Sequence, residues 1–454
     1  MSAVDAPGWR RVGIWTAAAL LGALLLHPLQ LRAPFVDGQY YLASLHSLYV
    51  DGDVDLTNES ERFPWLTWYS TTVEPAPGGL RNPFPIGPAL LWAPFYVAYD
   101  ALSRLVGGEG ISSATGPVHL PAYFGSSFWA LIGLFVLADA LRMLGASHTE
   151  RWSVTAVVAL ASPLPAYVTF APDMAHACAF ACVSILLWTS VWCWRNAAAG
   201  DPRWMICGFA LGVTFAVRWQ DALLGVVPLA LMAFPGDRAA APLSATKRMQ
   251  GLLYFGLGGL LGALPQLAYW KALYASWVAM PMGAGFMSLS NAEPLRFFFS
   301  TWNGLFLVHP ALLIILAGFA LPWRTSADSP WAGIEPLRWA ALLAIALELF
   351  SCMLVEDWWA GGAFGQRRVV SLLPLLALGL LALQRLAWAG GAGPRGFLLA
   401  GSLVLLIGWN GLSLVRLYDG SIPYNPAHRM WYRDHPVYGH YEWDRRFSDI
   451  LLGK

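Results

Sequence analysis

Charged residues are scarce in this chain of 454 residues: they make up 12%, whereas hydrophobic residues make up 57%. A soluble domain of this size needs far more surface charge, so the composition excludes an ordinary globular protein. The formal net charge is only +1, which leaves no basic excess for binding nucleic acid. The apolar residues instead recur in runs of about 20 residues, the length that crosses the hydrocarbon of a bilayer. The sequence therefore predicts a multi-pass membrane protein in contact with membrane lipids.

Cysteine is also scarce, and its positions exclude two common kinds of stabilisation. Every cysteine falls in or beside an apolar run: Cys178, Cys182, Cys193, Cys207 and Cys352. None lies in a loop with a partner, so the pattern predicts neither a disulfide framework nor a thiolate metal site. At the start of the chain, Arg10 and Arg11 precede an apolar run that is too long for a signal peptide. We expect this run to be an uncleaved anchor with the N-terminus in the cytoplasm.

Apolar length predicts an all-α bundle of about eleven transmembrane helices. The predicted spans are 12–31, 118–141, 152–170, 174–194, 204–217, 221–234, 251–271, 305–321, 339–355, 369–384 and 397–417. Two of them, 204–217 and 221–234, are short and predict a broken pair of helices around Arg218 and Asp221. Polar backbone at membrane depth is tolerated where protein or water covers it.

The segment 84–106 is apolar enough to span the membrane, but it contains several prolines. If it is an interfacial helix, every predicted cytoplasmic segment carries at least two positive charges. If it spans, all of those after Arg11 move outside, so the positive-inside rule favours the interfacial helix. Residues 1–417 then form one transmembrane domain, whose large outer loop 32–117 contains juxtamembrane helices. Residues 418–454 form a short outer tail.

This topology gathers unusual polar residues at the outer ends of the predicted spans. A transporter more often carries such residues near the midplane, so their placement favours chemistry on a substrate at the lipid surface. A carboxylate can deprotonate an acceptor, and Asp37 is the candidate for this role. Arginine binds phosphate through paired N–H donors, so we expect a phosphate or diphosphate to be held by Arg367 and Arg368, with Arg218 or Arg81 as helpers. Residues that could support the acid or bind the acceptor are Asp173, His176, Glu356, Asp357 and Trp358.

Structural roles compete with these functional ones. Asp37 also fits the cap of a helix that starts near Gln39. Asp173 and His176 also fit an acid at a helix N-terminus and an interfacial histidine. The arginines at 367 and 368 also fit anchors that reach toward lipid headgroups. A buried ion pair between the arginine at 218 and the aspartate at 221 explains that pair better than direct binding of a ligand.

No metal site is predicted. The tail histidines are irregularly spaced, as solvated loop histidines are: His428, His435 and His440. Three acids of the first loop alternate with glycine and valine as a calcium loop does: Asp51, Asp53 and Asp55. The later ligands of that motif are missing, so a calcium loop is not expected.

Four segments resemble the GT-C glycosyltransferases, particularly the bacterial branch near the protein O-mannosyltransferases and the aminoarabinose transferases of lipid A. The segments are DGQYYLA at 37–43 with DGDVDLTN at 51–58, NPFPIGPALL at 82–91, the polar and aromatic positions of 265–274 continuing to 303–310, and WWAGGAFGQRR at 358–368. The resemblance implies a catalytic acid in the first outer loop, matching Asp37, and another acid in the second outer loop, near Asp173. It also implies a basic residue for the donor phosphate near Arg81 and amphipathic helices on the membrane, matching 84–106.

The chain departs from this family at two places. Many relatives have paired acids where this chain has Asp37 followed by Gly38, which leaves one carboxylate and favours a metal-independent mechanism. The large C-terminal domain of some relatives has no counterpart, so acceptor binding would fall to the loops and the short tail.

Together, residues and resemblance predict an inverting glycosyltransferase of the bacterial inner membrane that needs no cofactor. Its donor would be a sugar on a polyprenyl phosphate, and its acceptor a lipid, a glycan or a protein at the periplasmic face. Two alternatives remain open. One is a transporter or lipid flippase without chemistry, for which Glu348 is the clearest ionisable residue inside a span. The other is a ligase or polymerase of surface polysaccharide that uses a lipid diphosphate.

Overall fold

The computed structural model describes residues 8–30, 34–63, 75–111, 118–234, 244–283, 285–300, 303–321, 334–389, 391 and 393–420. The chain forms two compact units. The first unit contains Met1–Ala140 and Tyr167–Gly283, and the second contains Leu141–Ala166 and Ala284–Lys454. The tail histidines lie outside the described residues, as does the predicted tail beyond position 420.

Helices make up nearly all regular structure in the described residues. In chain order they are α1 (Trp9–Leu26), α2 (Val36–His46), α3 (Thr57–Arg62), α4 (Gly87–Leu105), α5 (Leu120–Met143), α6 (His148–Leu160), α7 (Leu164–Thr169), α8 (His176–Asn196), α9 (Trp204–Val217), α10 (Val226–Ala233), α11 (Ala245–Tyr274), α12 (Pro294–Phe299), α13 (Leu305–Val308), α14 (Pro310–Ala320), α15 (Glu335–Met353), α16 (Leu373–Ala387) and α17 (Pro394–Tyr418). Shorter turns of 3-10 or π-helix are His27–Leu29, Ser47–Asp51, Trp219–Gly225, Leu289–Asn291 and Arg367–Leu372. One small antiparallel hairpin joins β1 (Pro75–Ala76) to β2 (Gly79–Leu80).

Seven helical segments of the described chain are long and apolar enough to cross a membrane. They are Arg10–Leu29, Leu120–Met143, His176–Asn196, Ala245–Tyr274, Glu335–Met353, Arg367–Ala387 and Pro394–Tyr418. Three shorter apolar segments accompany them: Trp204–Val217, Trp219–Ala233 and Pro310–Ala320. The protein is therefore a multi-pass α-helical membrane protein, as its composition predicts, while the full number of about eleven spans stays a prediction.

The predicted span 152–170 is wrong as a single helix, because α6 ends at Leu160 and α7 begins at Leu164. Asn410 of α17 donates from Nδ2 to the carbonyl oxygens of Leu160 at 2.7 Å and Ser162 at 2.9 Å. These bonds satisfy carbonyl groups that a continuous helix would have paired, which makes the break tolerable inside an apolar bundle.

The predicted span 305–321 is also interrupted, between α13 and α14. His309, at the break, has φ −125° and ψ 70°. It precedes Pro310, and the ring of a proline disfavours helical backbone in the residue before it. By contrast, the predicted broken pair 204–217 and 221–234 is confirmed: α9 and α10 are separated by the turn Trp219–Gly225.

Helices α9 and α11 pack at backbone distance because both present glycines. A Cβ added at Gly208 of α9 would come within 2.0 Å of the carbonyl oxygen of Phe255. A Cβ added at Gly262 of α11 would come within 2.3 Å of the carbonyl oxygen of Phe209. Small residues at such a crossing let two membrane helices approach closely, so this pair forms a tight frame in the first unit.

The segment 84–106 forms one helix, α4, which is not among the seven long apolar segments. It buries Trp92, Tyr96 and Asp100, whereas Leu102 and Leu105 are exposed. One buried and one exposed apolar side suit a helix that lies along a membrane surface. Its position in the membrane interface stays a prediction.

Helix ends that the sequence assigns to the cytoplasm lie together within each unit. In the first unit, Nη1 of Arg11 in α1 lies 3.2 Å from Oδ1 of Asp139 in α5. In the second unit, Nε of Arg385 in α16 lies 2.8 Å from Oε1 of Glu150 in α6. The arginine pattern thus groups helix ends correctly, while the assignment of those ends to the cytoplasm stays a prediction.

Candidate functional site

The candidate acid Asp37 lies in the first turn of α2 and is partly exposed. The N-cap of this helix is Phe35, and no side chain caps it by a hydrogen bond. The alternative that Asp37 caps a helix starting near Gln39 is therefore wrong. Asp37 is thus part of the first helical turn and not the residue that precedes it.

A second carboxylate, that of Asp173, packs directly against the start of α2. Its Oδ2 accepts a hydrogen bond from the backbone N–H of Phe35 at 2.5 Å, and Asp173 is fully buried. A Cβ added at Gly38 would come within 1.9 Å of the same oxygen. Gly38 therefore makes room for the carboxylate of Asp173. The ring of Phe35 also stacks on that of Phe170, with centroids 5.7 Å apart.

The loop that carries Asp173 is fixed by a chain of hydrogen bonds from α4 and α5. Nε1 of Trp92 donates to Oγ of Ser126 at 2.9 Å. That hydroxyl in turn donates to the carbonyl oxygen of Pro172 at 2.5 Å. All of these groups are buried, so the position of Asp173 is determined by packed helices and not by a free loop.

Asp173 lies two residues before Ala175, the N-cap of α8, and also binds the start of α2. The imidazole of His176, the first residue of α8, is buried, and its ring centroid lies 4.8 Å from that of Tyr167. His176 is therefore a packed side chain beside the loop that carries Asp173, and its position relative to the membrane interface stays a prediction.

The loop that carries Arg81 is fixed within the first unit by the contacts of its neighbour Asn82. Nδ2 of Asn82 donates to Oγ of Ser44 in α2 at 2.8 Å and to the hydroxyl of Tyr269 in α11 at 2.9 Å. The hydroxyl of Tyr274 donates to the carbonyl oxygen of Asn82 at 2.7 Å. The loop that carries Arg81 is thus tied to the helix that carries the candidate acid. Nothing in the sequence distinguishes Asn82 from an ordinary loop asparagine, because its partners are distant along the chain.

Arg218 forms the ion pair that its spacing suggested. Its Nη1 lies 3.6 Å from Oδ1 of Asp221, and both side chains are buried. A buried pair of this kind loses much stability if one partner is removed, because the other charge is left uncompensated. Its role as a helper at a phosphate stays a prediction.

In the second unit, Arg368 forms an ion pair and a backbone hydrogen bond with Asp357. Its Nη2 lies 2.5 Å from Oδ1 of Asp357, and its Nη1 donates to the carbonyl oxygen of the same residue at 2.8 Å. Arg367 is also buried, and its Nη2 lies 3.6 Å from the position that a Cβ at Gly361 would occupy. Neither arginine is an exposed anchor, so that alternative is wrong.

The segment that precedes these arginines is held by Asn303 and by its own glutamine. Nδ2 of Asn303 donates to the carbonyl oxygen of Trp359 at 3.0 Å, and Oδ1 accepts from the N–H of Gly365 at 3.0 Å. Nε2 of Gln366 donates to the carbonyl oxygen of the buried Trp358 at 3.0 Å. Glu356 is exposed on this segment. The sequence singled out Trp358 and Glu356 as site residues, whereas Asn303 was part of a family-like segment but was given no role, since its partners are about 60 residues away along the chain.

The alternating acids of the first loop do not converge as a calcium loop would. Oδ1 of Asp53 accepts from the hydroxyl of Ser47 at 2.8 Å. Oδ1 of Asp55 accepts from the hydroxyl of Thr57 at 2.6 Å and from its N–H at 2.9 Å. Both carboxylates therefore close local turns, as aspartates in loops commonly do.

The predicted site residues divide between the two units. The first unit holds Asp37, Arg81, Asp173, His176 and Arg218, whereas the second holds Glu356, Asp357, Trp358, Arg367 and Arg368. Comparisons with protein families, with characterised proteins and with solved structures give no match to this chain. Function is therefore inferred from the residues and their contacts. Chemically, the start of α2 offers one partly exposed carboxylate supported by a buried one.

Proposed function

We propose that the protein is an inverting membrane glycosyltransferase of the GT-C kind, which moves a sugar from a polyprenyl-phosphate donor to an acceptor at the membrane surface. Asp37 removes a proton from the acceptor hydroxyl or amine. The acceptor atom then bonds to the anomeric carbon while the bond from that carbon to the phosphate oxygen breaks. The polyprenyl phosphate leaves with the electron pair, and the proton ends on Asp37.

One observation carries this proposal: the carboxyl-bearing residues Asp37 and Asp173, far apart in the chain, both lie at the start of α2. Asp173 is buried and binds the N–H of Phe35, whereas Asp37 is partly exposed two residues further on. A buried acid that binds the backbone before the helix and a partly exposed acid in its first turn differ in environment. Such a difference commonly separates a supporting carboxylate from a reacting one.

Arg81 supports the proposal as a cation near the same helix. Its Nη2 donates to the carbonyl oxygen of Pro281, and the adjacent Asn82 binds Ser44 of α2. Ser44 lies seven residues after Asp37, about 10 Å along the helix axis. A guanidinium carried by a loop that is bound to the helix of the candidate base can stabilise the negative charge that develops on a departing phosphate.

Transport without chemistry is the second candidate, because Glu348 is fully buried in α15. Such an acid inside a membrane helix marks a transport pathway in many proteins. However, Glu348 lies five residues before the end of α15 at Met353, which is about 7 Å along the axis. The midplane of a bilayer lies about 15 Å from either side of the hydrocarbon, so this position favours the enzyme over the transporter.

The proposal is tested with the purified full chain in proteoliposomes supplied with a labelled polyprenyl-phosphate sugar. Asp37→Asn keeps the size of the side chain and removes the base. We expect release of sugar from the donor to fall by roughly 100-fold to 10,000-fold, the usual contribution of general-base catalysis. Glu61→Gln is the matched control, because Glu61 is an exposed acid of the same loop. It should keep full activity.

Three results would overturn the proposal. Sugar transfer by Asp37→Asn within a few-fold of the unchanged chain would remove Asp37 from the mechanism. Passage of intact donor across the membrane without release of sugar would identify a transporter. Transfer from a polyprenyl diphosphate but not from the monophosphate would instead identify the polysaccharide ligase or polymerase.

A further inference from the structure

A second cluster of ionisable side chains lies at the other end of α2. His46 is the last residue of α2, Asp51 ends the turn Ser47–Asp51, and Glu59 lies in α3. One ligand-type atom from each residue lies within 4.8 Å of the other two. Nδ1 of His46 lies 3.1 Å from Oε1 of Glu59 and 3.9 Å from Oδ2 of Asp51. His46 lies nine residues after Asp37, about 13 Å along the helix, so this cluster is separate from the candidate acid.

Glu59 has one carboxylate oxygen that no described part of the chain satisfies. It is fully buried, and its Oε2 makes no hydrogen bond to any described part of the chain. Its other oxygen faces the imidazole of His46, so the carboxylate points into the cluster. Two carboxylates and an imidazole held within 4.8 Å of one another form a set that attracts a further cation.

We propose that His46, Asp51 and Glu59 bind one divalent transition-metal ion, with Zn²⁺ as the best fit. One imidazole nitrogen and two carboxylate oxygens form a donor set that zinc accepts, with water as the fourth ligand. Tetrahedral bonds to zinc place neighbouring ligand atoms about 3.3 Å apart, between the two distances from His46. Asp51 is partly exposed, which leaves a side open for the ion and for water.

The ion would have a structural role. It would join the end of α2 to α3, which has only six residues and is too short to be stable alone. The C-terminal end of α2 also carries the negative end of the helix dipole, which favours a cation there. This site differs from the sequence prediction, which assigned no metal ligands.

Arg62 provides a specific test, because it is the competing cation of this cluster. Its Nη1 lies 3.4 Å from Nε2 of His46 and 3.8 Å from Oδ2 of Asp51. A guanidinium only donates, so this contact requires an unprotonated Nε2 and a proton on Nδ1. Binding of an ion at Nδ1 requires the other tautomer, in which Nδ1 gives up its proton and Nε2 takes one. Arg62 must then turn away, and its side chain is exposed enough, at 32%, to do so.

The experiment measures Zn²⁺ on the full chain in detergent after removal of metal with a chelator. Titration against a chromophoric chelator should show one tightly bound ion for each chain. His46→Gln and Glu59→Gln should each weaken binding by at least roughly 100-fold, beyond the loss of an outer partner. Arg62→Gln should tighten it by about fivefold or more, because removal of a like charge about 4 Å away has this effect even in water. Glu61→Gln, an exposed neighbour, should change nothing.

A cluster that is only an ion-pair network gives a different pattern. The unchanged chain would then bind no stoichiometric Zn²⁺, or the glutamine variants at 46 and 59 would bind it as well as the unchanged chain. Either result overturns the proposal. If a glutamine variant fails to fold, the stoichiometry of the unchanged chain and the direction of the Arg62→Gln effect still decide. Absorption bands of bound Co²⁺ would report the nitrogen and oxygen donors independently of any enzyme assay.

Discussion

Two regions fix their charged segments in different ways: the start of α2 in the first unit and the turn Arg367–Leu372 in the second. At α2 the supporting carboxylate comes from 138 residues away, because Asp173 binds the N–H of Phe35. Asp37 therefore stays partly exposed. At the turn the support is local, because Arg368 binds Asp357 only 11 residues away. One of the two adjacent arginines is thus used within its own segment.

The two regions differ in where the partner that fixes the charged segment comes from. The first unit brings its structural acid from another loop, and Gly38 provides the space for it. The second unit instead uses one of its own arginines to hold its own loop. The hypothesis that arginines 367 and 368 act jointly on a phosphate must therefore be tested on each residue separately.

The largest effect on stability should come from Gly38→Ala. The added methyl group would overlap Oδ2 of Asp173, and overpacking of this kind costs about 1–3 kcal/mol. Asp173→Ala removes the acceptor of a buried N–H, which also costs about 1–3 kcal/mol. In the double variant the overlap is gone, so we expect it to be no less stable than Asp173→Ala alone.

The four chains are compared by their apparent melting temperatures in one detergent. Gly408→Ala is the matched control, because a Cβ there meets nothing within 4 Å. Additive losses at 38 and 173 would show that the two residues do not depend on each other. Asp173 would then not depend on the space at Gly38, and the start of α2 would no longer be an example of a segment fixed by a distant acid.

Hydrophobic length predicted the helices well, because it is a local property of the chain. Each predicted span coincides with helical structure, and the polar break at Arg218 was visible in the sequence. The break after Leu160 was not predicted. The side chain that satisfies its carbonyl groups is Asn410, 250 residues away, and no local pattern reveals such a partner.

The candidate site, like the helices, was predictable only where it depends on residues close together in the chain. The acid at position 37 stands out because it follows an apolar run, and its place at the start of a helix could be inferred. The meaning of Gly38 could not, because it depends on Asp173 being folded against it. Likewise, His46 and Glu59 become a cluster only when the turn after α2 brings α3 back.

A smaller effect is expected from the local pair of the second unit. Arg368→Gln removes two hydrogen bonds to Asp357, worth about 1–2 kcal/mol after allowance for the partial exposure of Asp357. In an Asp357→Asn background the same change should cost much less, because the charge pair is already gone. Melting temperatures of the four chains measure this coupling.

Arg367→Gln is then compared with Arg368→Gln in binding of the polyprenyl-phosphate donor. If the arginine at 367 contacts the phosphate, its variant should lose affinity by roughly tenfold or more, the value of a charge-assisted hydrogen bond. Equal loss of donor affinity in both variants, without loss of stability in Arg368→Gln, would show that the contact with Asp357 does not keep Arg368 from the phosphate. The turn Arg367–Leu372 would then not be an example of an arginine used to hold its own segment.

The smallest effect concerns Asp100, a buried carboxylate with two partners nearby in the chain, whereas its third partner, Tyr49, is 51 residues away. Its oxygens accept from Nε of Arg104 and the hydroxyl of Tyr49 at 2.9 Å, and from the N–H of Ile111 at 2.7 Å. The hydrogen bond from Arg104, followed by that from Ile111, lowers the pKa of Asp100 below its usual value.

A pKa that is lower in the folded state stabilises the protein at every pH above the unfolded pKa of about 3.9, and this stabilisation is lost as the pH falls through the folded pKa. The melting temperatures of the unchanged chain and Asp100→Asn should therefore differ by a constant, small amount from about pH 8 to pH 5 and converge only below about pH 4. Convergence between pH 7 and pH 5 would mean that these hydrogen bonds do not hold the carboxylate of Asp100 ionised, and Asp100 would then give no example of a buried acid stabilised mainly by nearby partners.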